Sequence, residues 1–239
     1  MLRNSLGAIC LGVSIGLSMV NANAALVTVE ATGSISSITN NLGGLPSASI
    51  NDTLRVSYTF DTTAPSHYAT GTTDYLSPLT SFSYQINNGS VYSYAAFTGP
   101  WDPLTQLGVQ NTISLKNELG GSIVYGVRAD DLNSTTSTGI RFSLGTHYLA
   151  FSGANPGILA DTSINSIPNL NALFAAPDPY NYTSAQMAIE ARNGGSTDRF
   201  TVGRLTNLSI VSVTPVPIPA AVWLLGSGLA AMFGFVRSR

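Results

Sequence analysis

Apolar and polar residues alternate along most of the middle of the chain. The pattern is clearest at residues 26–35, 54–60 and 139–144. A period of two is typical of a β-strand that buries one face, whereas a helix packed on a core needs a period of about 3.6. The best helical candidate, residues 167–176, is short and contains Pro168. The alternation therefore predicts an all-β fold.

Turn sequences divide this pattern into about ten short strands. Residues 79–86 and 90–97 flank Asn87-Asn88-Gly89, and an Asn-Gly pair readily adopts the positive φ angles of a tight hairpin turn. The other predicted strands are residues 112–115, 122–129, 147–151, 187–192 and 199–213, the last two joined by a glycine-rich turn. This organisation predicts an antiparallel β-sandwich of two sheets in a jelly-roll-like arrangement. Its core is expected to contain the aromatic residues Tyr58, Phe60, Phe82, Tyr84, Tyr92, Tyr94, Phe142 and Phe151.

Residues 1–24 have the features of a secretory signal peptide. Arg3 supplies a positive charge, an apolar stretch follows, and Ala22-Asn23-Ala24 forms a cleavage site directly before Ala25. The alternative is a first transmembrane helix. Cys10, the single cysteine, lies within this segment. The exported chain is therefore expected to have no thiol, no disulfide and no cysteine metal site.

The chain is poor in charge, and its charge is mildly acidic. Charged residues make up 9% of the sequence, against about 25% in ordinary soluble domains. Arg3, Arg237 and Arg239 lie in the terminal segments, which leaves seven of the ten basic residues against twelve acids, a formal charge of −5 in the middle. Nucleic-acid binding needs a basic surface, so the charge argues against a nucleic-acid partner.

The chain closes with a proline-rich linker and an uncharged apolar run. Residues 214–219 contain three prolines, which favour an extended conformation. Residues 220–236 contain no charge, and as a helix they would cover about 25 Å, just enough to cross a bilayer core. Arg237 and Arg239 would remain on the cytoplasmic side. These residues predict a membrane tail at 220–239 and a β-sandwich domain at 25–213 on the other side of the membrane.

This order of parts closely resembles the PEP-CTERM sorting signal of exported proteins in Gram-negative bacteria. The residues that carry the resemblance are Val216, Pro217, Ile218, Pro219, Ala220, Ala221, Trp223, Gly226, Gly228, Arg237 and Arg239. Ile218 stands where the commonest form of the signal has glutamate. Residues 50–65 and 72–94 are also loosely similar to strands of exported β-proteins that carry this tail.

The resemblance implies export through the secretion translocon and recognition by exosortase, a membrane-embedded cysteine transpeptidase. The tail would first hold the protein in the inner membrane and then be removed near the prolines. The body would reach the cell surface or the extracellular polysaccharide matrix. The alternative is a permanent anchor that holds a periplasmic domain.

The sequence contains no recognisable catalytic constellation. His67 lies in a polar loop and His147 ends a predicted strand, and no G-x-S-x-G motif accompanies them. Glu30, Glu118 and Glu190 stand alone in sequence, whereas glycoside hydrolysis needs two facing acids. We therefore expect no enzymatic activity and no cofactor, with a hydrolase as the third hypothesis.

Two kinds of binding site are candidates. Asp61 and Asp74 bracket a polar loop that could supply oxygen ligands to calcium, and the alternative is that such aspartates bond to their own backbone in turns. Asp130-Asp131 opens another polar loop with the same two interpretations. Trp101 and Tyr180 are loop aromatics that could contact a glycan. They support a second hypothesis, a carbohydrate-binding module for exopolysaccharide.

Overall fold

The computed structural model describes residues 25–39, 43–69, 72–96, 111–117, 122–133, 138–149, 157–176, 183–193 and 196–216. Within these ranges the chain forms eleven strands and one short helix, α1 (Leu170–Ala175). The strands are β1 (Ala25–Thr39), β2 (Thr53–Asp61), β3 (Ser66–Ala69), β4 (Thr72–Leu76), β5 (Leu79–Ile86), β6 (Val91–Ala95), β7 (Asn111–Asn117), β8 (Ser122–Asn133), β9 (Thr138–Leu149), β10 (Ser184–Asn193) and β11 (Ser196–Pro215). The prediction of a mainly β protein is confirmed.

All eleven strands belong to one antiparallel sheet. Their order is β3-β4-β7-β8-β9-β10-β11-β1-β2-β5-β6. Strands β7 to β11 follow one another as neighbours, and β1 then pairs with both β11 and β2. The first and last strands of the described chain are therefore adjacent in the middle of the sheet.

The sheet curls because a short connection joins its two sides. Strand β4 pairs with β7 and β5 pairs with β2, yet only Ser77 and Pro78 separate β4 from β5. The buried side chain of Asn111, at the start of β7, accepts a hydrogen bond from the Leu79 backbone N–H (2.9 Å) and donates one to the Leu79 carbonyl (2.7 Å). These contacts hold the start of β5 against β7.

Aromatic side chains fill the space that the curl encloses. The hydroxyls of Tyr58 on β2 and Tyr125 on β8 lie 2.6 Å apart in a buried hydrogen bond. The Phe142 ring lies 5.5 Å from Tyr58 and 6.1 Å from Phe82, centroid to centroid. The predicted core aromatics Tyr58, Phe60, Phe82, Tyr84 and Phe142 are buried, Tyr92 and Tyr94 pack against them half-buried, and Phe151 lies outside the described residues.

The predicted polar loop at residues 62–73 is wrong in part, because it contains β3 and the start of β4. Both strands are short, and all residues of β4 are half-buried, so neither shows the alternation that identifies a strand with one buried face. Pairing of β4 with β7 supplies the backbone hydrogen bonds that define the element. His67 therefore lies in a strand, where its register partner is Asp74.

The predicted hairpin at Asn87-Asn88-Gly89 is present, with its turn one residue earlier than the Asn-Gly pair suggests. Positive φ angles occur at Asn87 (48°) and Asn88 (59°), and the Gly89 N–H donates to the Ile86 carbonyl. Asparagine tolerates this left-handed region better than most side chains do. The strands predicted at residues 139–144 and 147–151 are a single strand, β9, in the described part of the chain.

The predicted division into two separate hydrogen-bonded sheets is not present among the described strands, which form one curled sheet. The predicted signal helix and C-terminal membrane helix lie outside the described residues. Among the residues that the structure describes, no helix is long and apolar enough to cross a membrane.

Candidate functional site

The candidate site lies on the outer face of β8 to β11, which is the face opposite the aromatic core. On β9, buried residues alternate with Arg141, Ser143, Gly145 and His147. Because side chains of a strand alternate between faces, these four face outward. Each has a register partner on β10 that also faces outward, as in the pair Arg141–Glu190.

A groove of about 380 Å³ runs over this face, and we call it the outer groove. It is lined by Ser143, Gly145, His147, Gln186, Ala188 and Arg199, among others. Gly145 lies opposite Gly126 on β8 and opposite Gln186 on β10. A Cβ atom at Gly145 would meet no atom within 4 Å. The floor of the groove is therefore flat at Gly145 and Ala188, which have little or no side chain.

A buried ion pair lies beside the groove. The Asp130 side chain is fully buried, and the Arg141 side chain is 11% exposed. Arg141 donates from Nε to Asp130 Oδ1 (2.7 Å) and from Nη2 to Asp130 Oδ2 (3.0 Å). This two-point geometry matches the planar guanidinium fork to the carboxylate. The pair fixes the orientation of the arginine at the centre of the cluster.

Three further arginines surround the two acids of this cluster. Glu190 Oε2 lies 3.2 Å from Arg192 Nε, and Glu190 Oε1 lies 3.5 Å from Arg199 Nη1. Arg128 Nε lies 3.6 Å from Asp130 Oδ1, and this buried nitrogen has no hydrogen-bond partner among the described residues. Burial lowers the pKa of Arg128, and the charge of Asp130 partly opposes that shift.

The cluster carries an excess of positive charge. Four of the seven basic residues between the terminal segments meet the two acids Asp130 and Glu190, which leaves the cluster with a formal charge of +2. These four are Arg128, Arg141, Arg192 and Arg199. Asp198, the acid on β11, is fully buried on the opposite face and accepts a hydrogen bond from the Gly44 N–H (2.6 Å). The cluster beside the outer groove is therefore a basic part of an otherwise acidic chain, and Arg199 is its member that lines the groove.

This arrangement suits binding of an anion. Arginine offers five N–H donors in a planar fork and recognises carboxylates in two-point geometry. The side chains of Arg199 and Arg192 are 47% and 35% exposed. Asp130 and Glu190 are held by arginines in ion pairs.

The sequence candidates for calcium do not come together into a described metal site. Asp61 Oδ1 accepts hydrogen bonds from the Thr63 N–H (2.8 Å) and the Thr63 hydroxyl (2.7 Å), which is the turn arrangement considered above. Asp74 lies on β4 opposite His67 and Ser114. No group of three or more histidine, cysteine, aspartate or glutamate side chains with metal-binding geometry occurs in the described ranges.

The other sequence candidates are distributed between the described and the undescribed parts of the chain. Ala25, after the predicted signal cleavage site, begins β1, and Val216, the first residue of the predicted sorting motif, follows β11 with 39% exposure. The remaining candidates lie outside the described residues, namely residues 1–24, Trp101, Glu118, Tyr180 and residues 217–239. Glu30 pairs with Arg55 at 3.5 Å on β1 and β2.

Sequence reasoning missed the arginine cluster. Asp130-Asp131 was expected in a polar loop and lies in β8, with Asp130 buried. A signal for the cluster exists, since Arg128, Arg141, Arg192 and Arg199 each lie in or beside an alternating apolar segment. Strand register decides whether such residues meet, and the sequence does not reveal the register between distant strands.

Comparison of the chain with protein-family models, with curated protein sequences and with solved structures gave no significant match.

Proposed function

We propose that this chain is an exported protein of the bacterial cell surface or extracellular matrix, sorted by its C-terminal tail and without catalytic activity. The observation that carries the proposal is the tail itself. Three prolines, an uncharged run at residues 220–236 and two arginines, Arg237 and Arg239, follow one another at the end of the sequence. In this proposal the translocon exports the chain, the tail holds it in the inner membrane, and exosortase cuts near the prolines.

The position of the last strand supports this proposal. The β1–β11 register ends with Ala25 opposite Pro215, and Val216 follows without strand pairing. A cut between Val216 and Ala221 would therefore remove no residue of the sheet. Both proposed processing sites, one before Ala25 and one near the prolines that follow β11, adjoin the same end of the β1–β11 pair.

The finer architecture is also part of the proposal. We propose that the curled sheet works as two packed layers of jelly-roll type, with β2 and β5 over β8 and β9. The contacts Tyr58–Tyr125 and Phe82–Phe142 across the core support this arrangement.

Cell fractionation tests the sorting proposal. The full chain and a chain ending at Pro215 are expressed in a Gram-negative host with exosortase and in the same host lacking it. We expect the full chain at the cell surface or in the medium only when exosortase is present, and in the inner membrane otherwise. The shortened chain should be periplasmic in both hosts. Retention of the full chain in the inner membrane of both hosts would contradict sorting and favour a permanent anchor.

A carbohydrate-binding module for exopolysaccharide is the second candidate function. The outer groove favours it, because an open, flat-floored groove with polar walls suits a sugar ring, and Arg199 adds a cation. A hydrolase has less support, because Asp130 and Glu190 are engaged by arginines instead of standing as an acid and a base. In this view Trp101 and Tyr180 are additional glycan contacts.

A further inference from the structure

We infer that the outer groove binds a polysaccharide that carries carboxylate groups, with Arg199 as the residue that recognises the carboxylate. This inference deepens the second candidate function above and names its ligand class. It does not depend on how the tail is processed.

The first step is the local charge. Four guanidinium groups meet two carboxylates in this cluster, so positive charges exceed negative ones by two among the described residues that form it. Arg141 is buried against Asp130, whereas the Arg199 side chain is 47% exposed and lines the groove. Its ion pair with Glu190 uses Nη1 at 3.5 Å. A guanidinium has five N–H donors, so Arg199 retains donors for an external anion.

The second step is the shape of the groove. Gly145 on β9 and Ala188 on β10 line the groove with backbone and a single methyl group, and Gly126 on β8 lies opposite Gly145. A Cβ at Gly145 meets nothing within 4 Å, and one at Gly126 meets its nearest atom at 3.8 Å. The flat floor at Gly145 and Ala188 has room for a sugar ring lying on the sheet. A small inorganic anion would not need such a flat floor.

The third step is the chemistry of the walls. Ser143, Ser184 and Thr201 carry hydroxyls, Gln186 carries an amide, and His147 carries an imidazole. Such neutral groups donate to and accept from sugar hydroxyls, whereas one cation at the end of the groove selects a charged substituent. A uronic acid combines several hydroxyls with one carboxylate and therefore matches the whole set. A repeating uronate polymer would also have many copies of this ligand.

Binding of sodium oligogalacturonate to the full-length chain in mild detergent, measured by calorimetry with EDTA present, tests the inference. Two variants address the site: Arg199→Gln removes the cation, and Gly145→Ile fills the groove. Arg55→Gln is the matched control, because Arg55 is also paired with a glutamate at 3.5 Å and its side chain is 44% exposed, but it lies on β2. Circular dichroism on each variant establishes that it is folded.

We expect saturable binding that weakens by about tenfold or more in Arg199→Gln, the usual order for loss of a charge-assisted contact. Gly145→Ile should abolish binding, and Arg55→Gln should leave it unchanged. The carboxyl-reduced oligomer should bind at least about tenfold more weakly than the acid. Equal binding of the reduced oligomer, or equal weakening by Arg55→Gln, would overturn the inference. Absence of binding to the folded full-length chain would overturn it while leaving the sorting proposal intact.

Discussion

Ala25, the first residue of β1, lies opposite Pro215, the last residue of β11, in an antiparallel pair. The two ends of the described domain therefore leave the sheet side by side. The Ala25 carbonyl also accepts a hydrogen bond from the Thr62 N–H (3.0 Å), and the Ala25 N–H donates one to the Thr62 hydroxyl (3.1 Å). These contacts anchor the start of β1 next to the point where the tail begins.

Truncation of the chain after this pair should leave the domain intact. A chain of residues 25–216 should unfold at the same temperature as residues 25–239, because no strand residue is lost. A chain ending at Leu205 lacks the β11 partners of Ala25 to Thr32 and should be strongly destabilised. Thermal unfolding followed by circular dichroism distinguishes the two. Equal stability of the Leu205 and Val216 chains would contradict the β1–β11 pairing.

Substitution of Asp130 should have a large effect on the free energy of unfolding, because Asp130 belongs to the buried ion pair. Asp130→Asn would leave Arg141 buried without its closest counter-charge, which typically costs about 3 kcal/mol of unfolding free energy or more. Urea unfolding measures this loss. Glu30→Gln is the control, because it breaks a more exposed pair with Arg55 and should cost less than about 1 kcal/mol. A similar small effect at both positions would show that Asp130 is not buried as described.

The Tyr58–Tyr125 pair predicts a loss of stability in alkali. Burial raises the pKa of both phenols above the usual value of 10.0, so both stay neutral in the folded chain while unfolded tyrosines ionise. This contribution to stability is complete below about pH 10 and declines as the pH rises above it. Tyr58→Phe removes one of these groups and should reduce the slope of unfolding free energy against pH between about pH 10 and 11.5.

Urea unfolding over this range of pH provides the measurement. At neutral pH the same variant should be destabilised by about 1 kcal/mol, since it loses the hydrogen bond to Tyr125. An unchanged alkaline slope in Tyr58→Phe would contradict burial of its hydroxyl.

Substitution of alanine for glycine should have opposite effects on stability at two positions of the sheet. At Gly33 on β1 a Cβ would collide with Val202 Cγ1 and approach the Arg204 carbonyl oxygen to 2.8 Å. Gly33→Ala should therefore lose about 1–3 kcal/mol of unfolding free energy through overpacking. Gly145→Ala meets open space and should be neutral or slightly stabilising, because it restricts the unfolded chain. Chemical denaturation of both variants checks the contrast, and a costly Gly145→Ala would mean that the outer groove is not open.

Much of the fold follows from local pattern, and β5 shows why. Its predicted range, residues 79–86, agrees with the structure because alternation marks the strand and Asn87-Asn88 ends it. Strands β3 and β4 lack such alternation and were missed in the predicted loop, because pairing with β7 defines them. Local signals therefore identify strands with one buried face and overlook strands defined by pairing alone.

The candidate site could not be derived in the same way. Arg141, Glu190 and Arg199 meet across β9, β10 and β11, although 49 positions of sequence separate the first two. Alternation indicates that each faces away from the core, but only the strand order and register bring them together. The proposed sorting tail is the reverse case, since its order of residues is readable from the sequence without a fold.

The C-terminal residue of the exported protein tests the central claim most directly. Mass spectrometry of the C-terminal peptide from surface and culture fractions should find a chain end between Thr214 and Ala221, with Trp223 and Arg237 removed. A peptide that ends at Arg239, recovered from the inner-membrane fraction and absent from the surface and the medium, would contradict the sorting account and identify an anchored domain instead.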